Sequence, residues 1–160
     1  MNPSFDLPDA DHFTAGTVGP PGQRTFFLQA GSAGSVVSLK MEKQQVAALA
    51  DHLDGMLADL PPVAPPDAPE LVEPVVPTWT VGGLGVAFDE DADRVVIVAQ
   101  ELIDDDVDED DAASARLRLT RDQVAAFIAR ARQLVSAGRP PCQFCGLPLD
   151  PAGHACPRAN

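Results

Sequence analysis

The hydrophobic pattern of one stretch, RLRLTRDQVAAFIARARQLV at Arg116–Val135, repeats that of an earlier stretch, SLKMEKQQVAALADHLDGML at Ser38–Leu57. In both, apolar and polar residues first alternate, which is typical of a strand with one wet face. Apolar residues then recur at helical spacing, which is typical of a helix with one buried face. The matched helix positions are Val124, Phe127, Ile128, Ala131, Leu134 and Val135 in the later stretch and Val46, Leu49, Ala50, Leu53, Met56 and Leu57 in the earlier one.

The residues before each helix divide at glycine-rich or polar turns into three strands. The junction Thr120-x-x-Gln123 predicts a capping box at the second helix. The predicted elements are strands Phe13–Gly19, Arg24–Ala30 and Ser35–Met41 with helix Glu42–Leu60, then strands Thr78–Phe88, Arg94–Leu102 and 116–119 with helix 120–137. We therefore predict an α+β fold of two tandem β-β-β-α repeats with pseudo-two-fold symmetry, followed by a small zinc-knuckle tail.

The chain divides into a first repeat at 1–60, a linker at 61–77, a second repeat at 78–139 and a tail at 140–160. The linker holds seven of the sixteen prolines, which favours an extended spacer. The two helices are 78 positions apart, whereas Arg24 and Arg94, which begin equivalent strands, are 70 apart. The eight extra residues match the acidic stretch Asp104–Asp111, DDDVDEDD, which we predict to be an insertion at a hairpin tip.

The composition narrows the classes of partner. The chain has 11 Lys and Arg against 24 Asp and Glu, a net charge of −13, which disfavours bulk attraction to nucleic acid or anionic membranes. No apolar run approaches the ~20 residues that a membrane span needs. All three cysteines fall in the last 19 residues, so a disulfide framework is not expected and a reducing cytoplasm is the natural compartment.

The tail carries the clearest chemical motif, C-x2-C-x8-H-x-C. Two thiolates two residues apart can bind one tetrahedral ion from a single turn, and Asp150-Pro-Ala-Gly153 can turn the chain back towards it. Four ligands leave no open coordination position, so the predicted zinc is structural. A redox pair and unliganded cysteines are the alternatives. The predicted ligands are Cys142, Cys145, His154 and Cys156.

Charge is segregated in the second repeat. The stretch Asp104–Asp111 carries −7, and residues 112–139 that follow it carry a net +5. We expect the arginines to form a docking face for another protein, shielded by the acidic loop; the alternative is that they cover the wet faces of a strand and a helix. The arginines of this predicted face are Arg116, Arg118, Arg121, Arg130 and Arg132.

Two motifs carry a resemblance to a known family. The first is Phe13-x-Ala-Gly-Thr-Val-Gly-x-Pro-Gly-x-Arg-x-Phe-Phe-Leu-Gln-Ala30, and the second is Cys142-x2-Cys-Gly-x-Pro-x-Asp-Pro-x-Gly-His-x-Cys-Pro-Arg158. Together they resemble an uncharacterised actinobacterial protein family, domain of unknown function 3090, over nearly the whole chain. The resemblance implies a cytoplasmic bacterial protein and brings no catalytic residues.

Three functions remain open from the sequence. A zinc-containing binding or adaptor protein that docks another protein is favoured, because no catalytic constellation is visible and the predicted zinc is structural. A single-stranded nucleic-acid binding module is the alternative, since tandem sheet-then-helix repeats look like the layout of PUR and Whirly proteins; acidity and few aromatic residues count against it. An enzyme with a site between the repeats is the third.

Overall fold

The structure, a computed structural model, describes residues 2–20 and 22–137. Two helices pack on one face of a seven-stranded mixed sheet of strand order β1-β7-β6-β5-β4-β3-β2. This arrangement confirms the predicted α+β class. The elements are β1 (Phe5–Leu7), β2 (His12–Val18), β3 (Thr25–Ser32), β4 (Ser35–Met41), α1 (Lys43–Ala58), β5 (Pro77–Asp89), β6 (Arg94–Glu101), β7 (Ser114–Leu119) and α2 (Arg121–Ala137), with one short 3-10 turn at Glu109–Asp111.

The sheet is built from two antiparallel meanders that meet side by side. Strands β2, β3 and β4 form one meander and β5, β6 and β7 the other, and the parallel pair β4–β5 joins them. We call β2 to α1 the first half and β5 to α2 the second half. Strand β1, which pairs in parallel with β7, was not predicted, because three residues are too short to show an alternating pattern.

The core lies between the sheet and the helices. Alternate strand residues face the core. In β7, Leu117 and Leu119 are 2% and 1% exposed, whereas Arg116, next to Leu117, is exposed on the opposite face. The six predicted apolar positions of each helix are buried or pack against this core. The face of the sheet opposite the helices, which we call the outer face, carries the remaining strand side chains.

The strand register changes one sequence prediction. Leu28 pairs with Leu39 in the first half, and Ile97 pairs with Leu117 in the second, and all four belong to the core. Ile97 therefore occupies the position of Leu28, which is an offset of 69 and not 70. The second half is then nine residues longer here, one more than the eight predicted for the insertion Asp104–Asp111. Matching Arg24 with Arg94 was wrong by one residue, because they share a charge and a strand end but point to opposite faces.

Both helices begin in the same way. The Gln123 side chain accepts from the Thr120 amide at 2.8 Å and the Thr120 hydroxyl accepts from the Gln123 amide at 3.1 Å, which confirms the predicted capping box. Gln45 forms the corresponding box with Glu42 at α1.

The same two glutamines fasten each helix to the other half. The side-chain NH2 of Gln45 donates to the carbonyl of Val81 in β5 at 3.0 Å, and that of Gln123 donates to the carbonyl of Ala10, just before β2, at 2.8 Å. Helix α2 packs closely on β2, and α1 lies against α2 and towards β5. The packing of the two halves is therefore reciprocal.

Within the described residues, no helix has both the length and the apolar character required to cross a membrane.

Candidate functional site

The outer face of the first half is covered by the proline-rich linker. Gly16 in β2 lies directly under the Leu71 side chain, and a methyl group at Gly16 would overlap it. The neighbouring outer-face residues Thr14 and Gln29 are both 0% exposed, although both are polar. The linker therefore packs as a further layer on this half of the sheet, beyond the spacer role that its composition indicates.

Gln29 holds the linker in place through a pair of backbone hydrogen bonds. The Val72 amide donates to Gln29 Oε1 at 2.7 Å, and Gln29 Nε2 donates to the Val72 carbonyl at 3.0 Å and to Ser38 Oγ at 3.1 Å. These partners fix the amide orientation, so His12 Nε2, which lies 2.7 Å from Gln29 Oε1, must be the donor of that bond. A side chain of β3 thus binds an extended segment as a neighbouring strand would.

Gln29→Leu is expected to release the linker and to lower the free energy of unfolding by about 1–3 kcal/mol, the usual cost of leaving buried polar groups without partners. Chemical denaturation and hydrogen exchange of the Val72 amide measure the two effects. Gln100→Leu is the matched control, because Gln100 is an exposed outer-face glutamine of β6. Unchanged protection of the Val72 amide in Gln29→Leu would contradict this role.

The outer face of the second half is open. In the covered half, outer-face residues pair as Thr14–Gln29–Ser38, and the corresponding row of the second half is Gly85–Val98–Arg116. Gly85 and Arg116 are exposed and Val98 is half-buried. The next row, Ala87–Val96–Arg118, extends the same face, and Val96 in its middle is buried at 9% exposed. We call these six residues the open face: Gly85, Ala87, Val96, Val98, Arg116 and Arg118.

The five arginines of the predicted docking face are not brought onto one surface. Arg116 and Arg118 lie on the outer face, as the alternation in β7 predicts, whereas Arg130 and Arg132 belong to α2 on the other side of the sheet. Arg121 begins α2 and donates to the carbonyl of Pro61 at 2.8 Å. These arginines are close in sequence but not in space, because β7 and α2 lie in different layers.

Most of these arginines are paired with carboxylates, and the carboxylates lie outside the acidic loop. Arg118 contacts Asp89 at 2.9 Å, and Arg132 contacts both Asp51 and Asp54 of α1 at 3.2 Å. The hydrogen bonds that Arg132 donates to Asp51 and Asp54 raise the pKa of Arg132 above its ordinary value. Within residues 2–20 and 22–137, Arg116 has no ion pair and none joins the loop Asp104–Asp111 to an arginine.

Arg121 forms its ion pair at the hairpin between β5 and β6. Its Nε lies 2.9 Å from Asp93 Oδ1, and this hydrogen bond lowers the pKa of Asp93 and raises that of Arg121. A carboxyl group whose pKa is lower in the folded than in the unfolded chain stabilises the fold at pH values above its unfolded pKa. This contribution is lost as the pH falls through the folded pKa. The pair is solvent-exposed, so its effect on stability is small.

A separate cavity of about 450 Å³ concentrates positive charge. It lies where the β2–β3 turn meets the start of α1, and both lysines of the chain, Lys40 and Lys43, line it together with Arg24. Phe26 and Met41 supply apolar lining. Glu42 also lines the cavity, so its charged lining is three cations and one carboxylate. Among the described residues none of the three cations forms an ion pair, and the net charge of the lining favours an anionic group.

The predicted zinc ligands Cys142, Cys145, His154 and Cys156 lie outside the described residues. Within the residues that are described, no group of three or more His, Cys, Asp or Glu could hold a metal ion. The zinc site therefore stays a prediction from the spacing of the tail.

Comparison with protein families gives a match over most of the chain. A family model described as "Protein of unknown function (DUF3090)" covers residues 4–156, which is nearly the whole chain. No curated protein and no solved structure matches. A function for this chain is therefore inferred from its outer face and its cavities.

Proposed function

Because the chain belongs to the DUF3090 family of proteins of unknown function, its role has to be inferred from its own residues, and we propose that it is a zinc-containing adaptor that docks another protein. The docking surface in this proposal is the open face of the second half. A structural zinc on Cys142, Cys145, His154 and Cys156 completes the tail, and the cysteine content fits a reducing cytoplasm.

The observation that carries the proposal is the difference between the two halves of the outer face. In the first half the chain covers the face with its own extended segment, and Gln29 and Thr14 are fully buried there. In the second half the corresponding positions are exposed or half-buried. The counterpart of this surface binds an extended segment, so an extended segment is the partner we propose for it; Val98 stands in place of Gln29, so its contacts there are apolar.

The chemistry of the open face indicates the kind of segment. The covering linker places Leu71 and Val72 between Glu70 and Glu73, so that small apolar side chains lie between two carboxylates. The open face presents small or β-branched residues, with Arg116 at the position of Ser38 and Arg118 at that of Lys40. An extended partner segment with aliphatic residues flanked by Asp or Glu would complement both features.

The acidic loop acts on this surface at a distance. It connects β6 to β7, the two strands that carry Val98 and Arg116, and its carboxylates are exposed. Seven negative charges beside the open face repel an acidic partner by Coulomb interaction without contacting an arginine, and salt screens that repulsion over about 10 Å at 0.1 M. The loop is thus a selectivity element in this proposal.

Arg116→Glu is expected to weaken capture of the partner from the native host by about tenfold or more, because it replaces an attractive charge by a repulsive one. Quantitative mass spectrometry of an affinity pulldown measures the loss, with nucleic acid quantified in the same eluate. Arg132→Glu is the matched control, since Arg132 is an exposed cation of α2 on the helix side of the sheet. Equal loss in both variants, or nucleic acid as the material retained, would contradict the proposal.

The reciprocal packing also supports a duplication with pseudo-two-fold symmetry. Gln45 and Gln123 form the same capping box, and each reaches a backbone carbonyl of the other half. The two meanders run in the same order, and corresponding helix positions face the core. We propose that the halves are tandem copies in which one outer face kept a self-contact and the other became available to a partner.

A further inference from the structure

A cleft of about 480 Å³ lies between α1 and β5, and its lining includes Gly85, which also belongs to the open face. Its volume falls in the range of small-molecule sites, about 300–1,000 Å³. Leu49 and Ala48 line it from the helix, and Leu84 and Val86 line it from the strand. Its polar lining side chains are Gln45 and the exposed His52. The walls come from both halves, so this is a site between the two units.

The corresponding place on the other side of the molecule is filled by two aromatic rings. Phe13 of β2 and Phe127 of α2 stack with ring centroids 4.5 Å apart and an angle of 22° between the planes. Both side chains are almost fully buried, at 2% and 0% exposed. Helix α2 therefore closes on β2 with no opening between these two residues.

Leu49 and Leu84 of the cleft occupy the positions that correspond to Phe127 and Phe13. Leu49 holds the helix position of Phe127, and Leu84 pairs with Ala99 as Phe13 pairs with Ala30. A leucine pair fills less space than a stacked phenylalanine pair, and α1 packs less closely on β5 than α2 packs on β2. Leu49 is itself 2% exposed, so the open space lies beside the half-buried Leu84 and Val86.

We propose that this cleft binds a small molecule with a flat aromatic ring, which lies on Leu84 and Val86 and meets the edge of Leu49. Gln45 is already engaged, because its oxygen accepts from the Glu42 amide and its nitrogen donates to the Val81 carbonyl. His52 at the mouth is then the side chain that recognises a hydrogen-bonding substituent on the ring. Apolar space in proteins takes up flat rings of this kind.

Indole is the probe for the first test, with full-length protein carrying isotope-labelled leucine and valine methyl groups. Saturable shifts are expected at the methyl groups of Leu49, Leu84 and Val86, with a Kd of about 1 mM or tighter for a ligand of this size. Absence of saturable shifts, or shifts elsewhere in the protein, would overturn the proposal. So would contacts from Phe144 of the tail to Leu84 in the ligand-free protein, because the chain would then occupy its own cleft.

Filling the cleft is the decisive variant. Leu49→Phe with Leu84→Phe places the aromatic pair of the other side into the cleft, so the indole affinity should fall about tenfold or more. Ala48→Phe is a second route, because Ala48 is exposed at the rim and tolerates a larger side chain. Gln44→Phe, on an exposed part of α1 outside the cleft, is the control and should bind as the parent does. Unchanged indole binding in the filled variants would overturn the proposal.

Discussion

Full-length protein purified without a histidine tag is expected to contain close to one equivalent of zinc, and Cys145→Ser is expected to lose it. Three thiolates and one imidazole form a complete tetrahedral set, and such sites bind zinc with an apparent free energy of about 10–16 kcal/mol in isolated fingers. This is the largest single energetic effect that we predict for the chain. Elemental analysis after dialysis against a weak chelator measures it directly.

The other histidines provide the control for the zinc prediction. The chain has three, and His12 and His52 lie in the first half, where His12 bonds to Gln29. His154→Ala should lower the zinc content as Cys145→Ser does, and His52→Ala should leave it unchanged. The buried cluster within residues 2–137 joins both helices to the sheet, so we expect circular dichroism of Cys145→Ser to retain the helix signal. Zinc-free parent protein with all three thiols reactive would refute the site.

Phe127→Ala is expected to destabilise the fold by about 3–5 kcal/mol, whereas Leu49→Ala should fall at the low end of the usual Leu→Ala cost, near 2 kcal/mol. The two residues hold corresponding helix positions, but Phe127 stacks on Phe13 in closed packing and Leu49 borders an open cleft. Removing atoms beside existing space creates less new cavity, and solvent or neighbours can fill it. The loss in Phe127→Ala is a large share of the 5–15 kcal/mol typical of a domain.

Urea denaturation of both variants measures this difference. Val124→Ala serves as a reference, because Val124 is a fully buried residue of the same helix with no aromatic partner. A Leu49→Ala cost equal to or above that of Phe127→Ala would mean that the two helix–strand contacts are packed alike. In that case the cleft would not weaken the packing of Leu49 in solution.

Periodicity predicted the parts of this fold that depend on local pattern. The helix faces, the alternation of Arg116 and Arg118 with Leu117 and Leu119, and the capping box at Thr120 follow from spacing within one element. The register was misjudged by one residue because a shared arginine does not say which face it points to. A comparison of buried pairs such as Leu28 with Leu39 would have corrected it.

The covered outer face and the cleft could not be predicted from the periodicity of a single element. Gln29 is a polar strand residue and suggests a wet face, yet it is buried by Val72, 43 positions away. No periodicity encodes such a contact. The cleft, by contrast, had a signal: aligning the two helix stretches places Leu49 opposite Phe127, and a leucine in place of a ring at a buried position indicates space.

The most direct test of the adaptor role is photo-crosslinking in the native host from single positions on the outer face. A benzoylphenylalanine at Val98, in the open half, should form an adduct with an acidic protein, and the crosslinked peptide should be an extended segment with flanking Asp or Glu. The same probe at Lys40, in the covered half, should give no such adduct, and Arg116→Glu should remove the adduct from Val98. Adducts of equal yield from Val98 and Lys40, or none from Val98, would contradict the proposal that the open face is the docking surface.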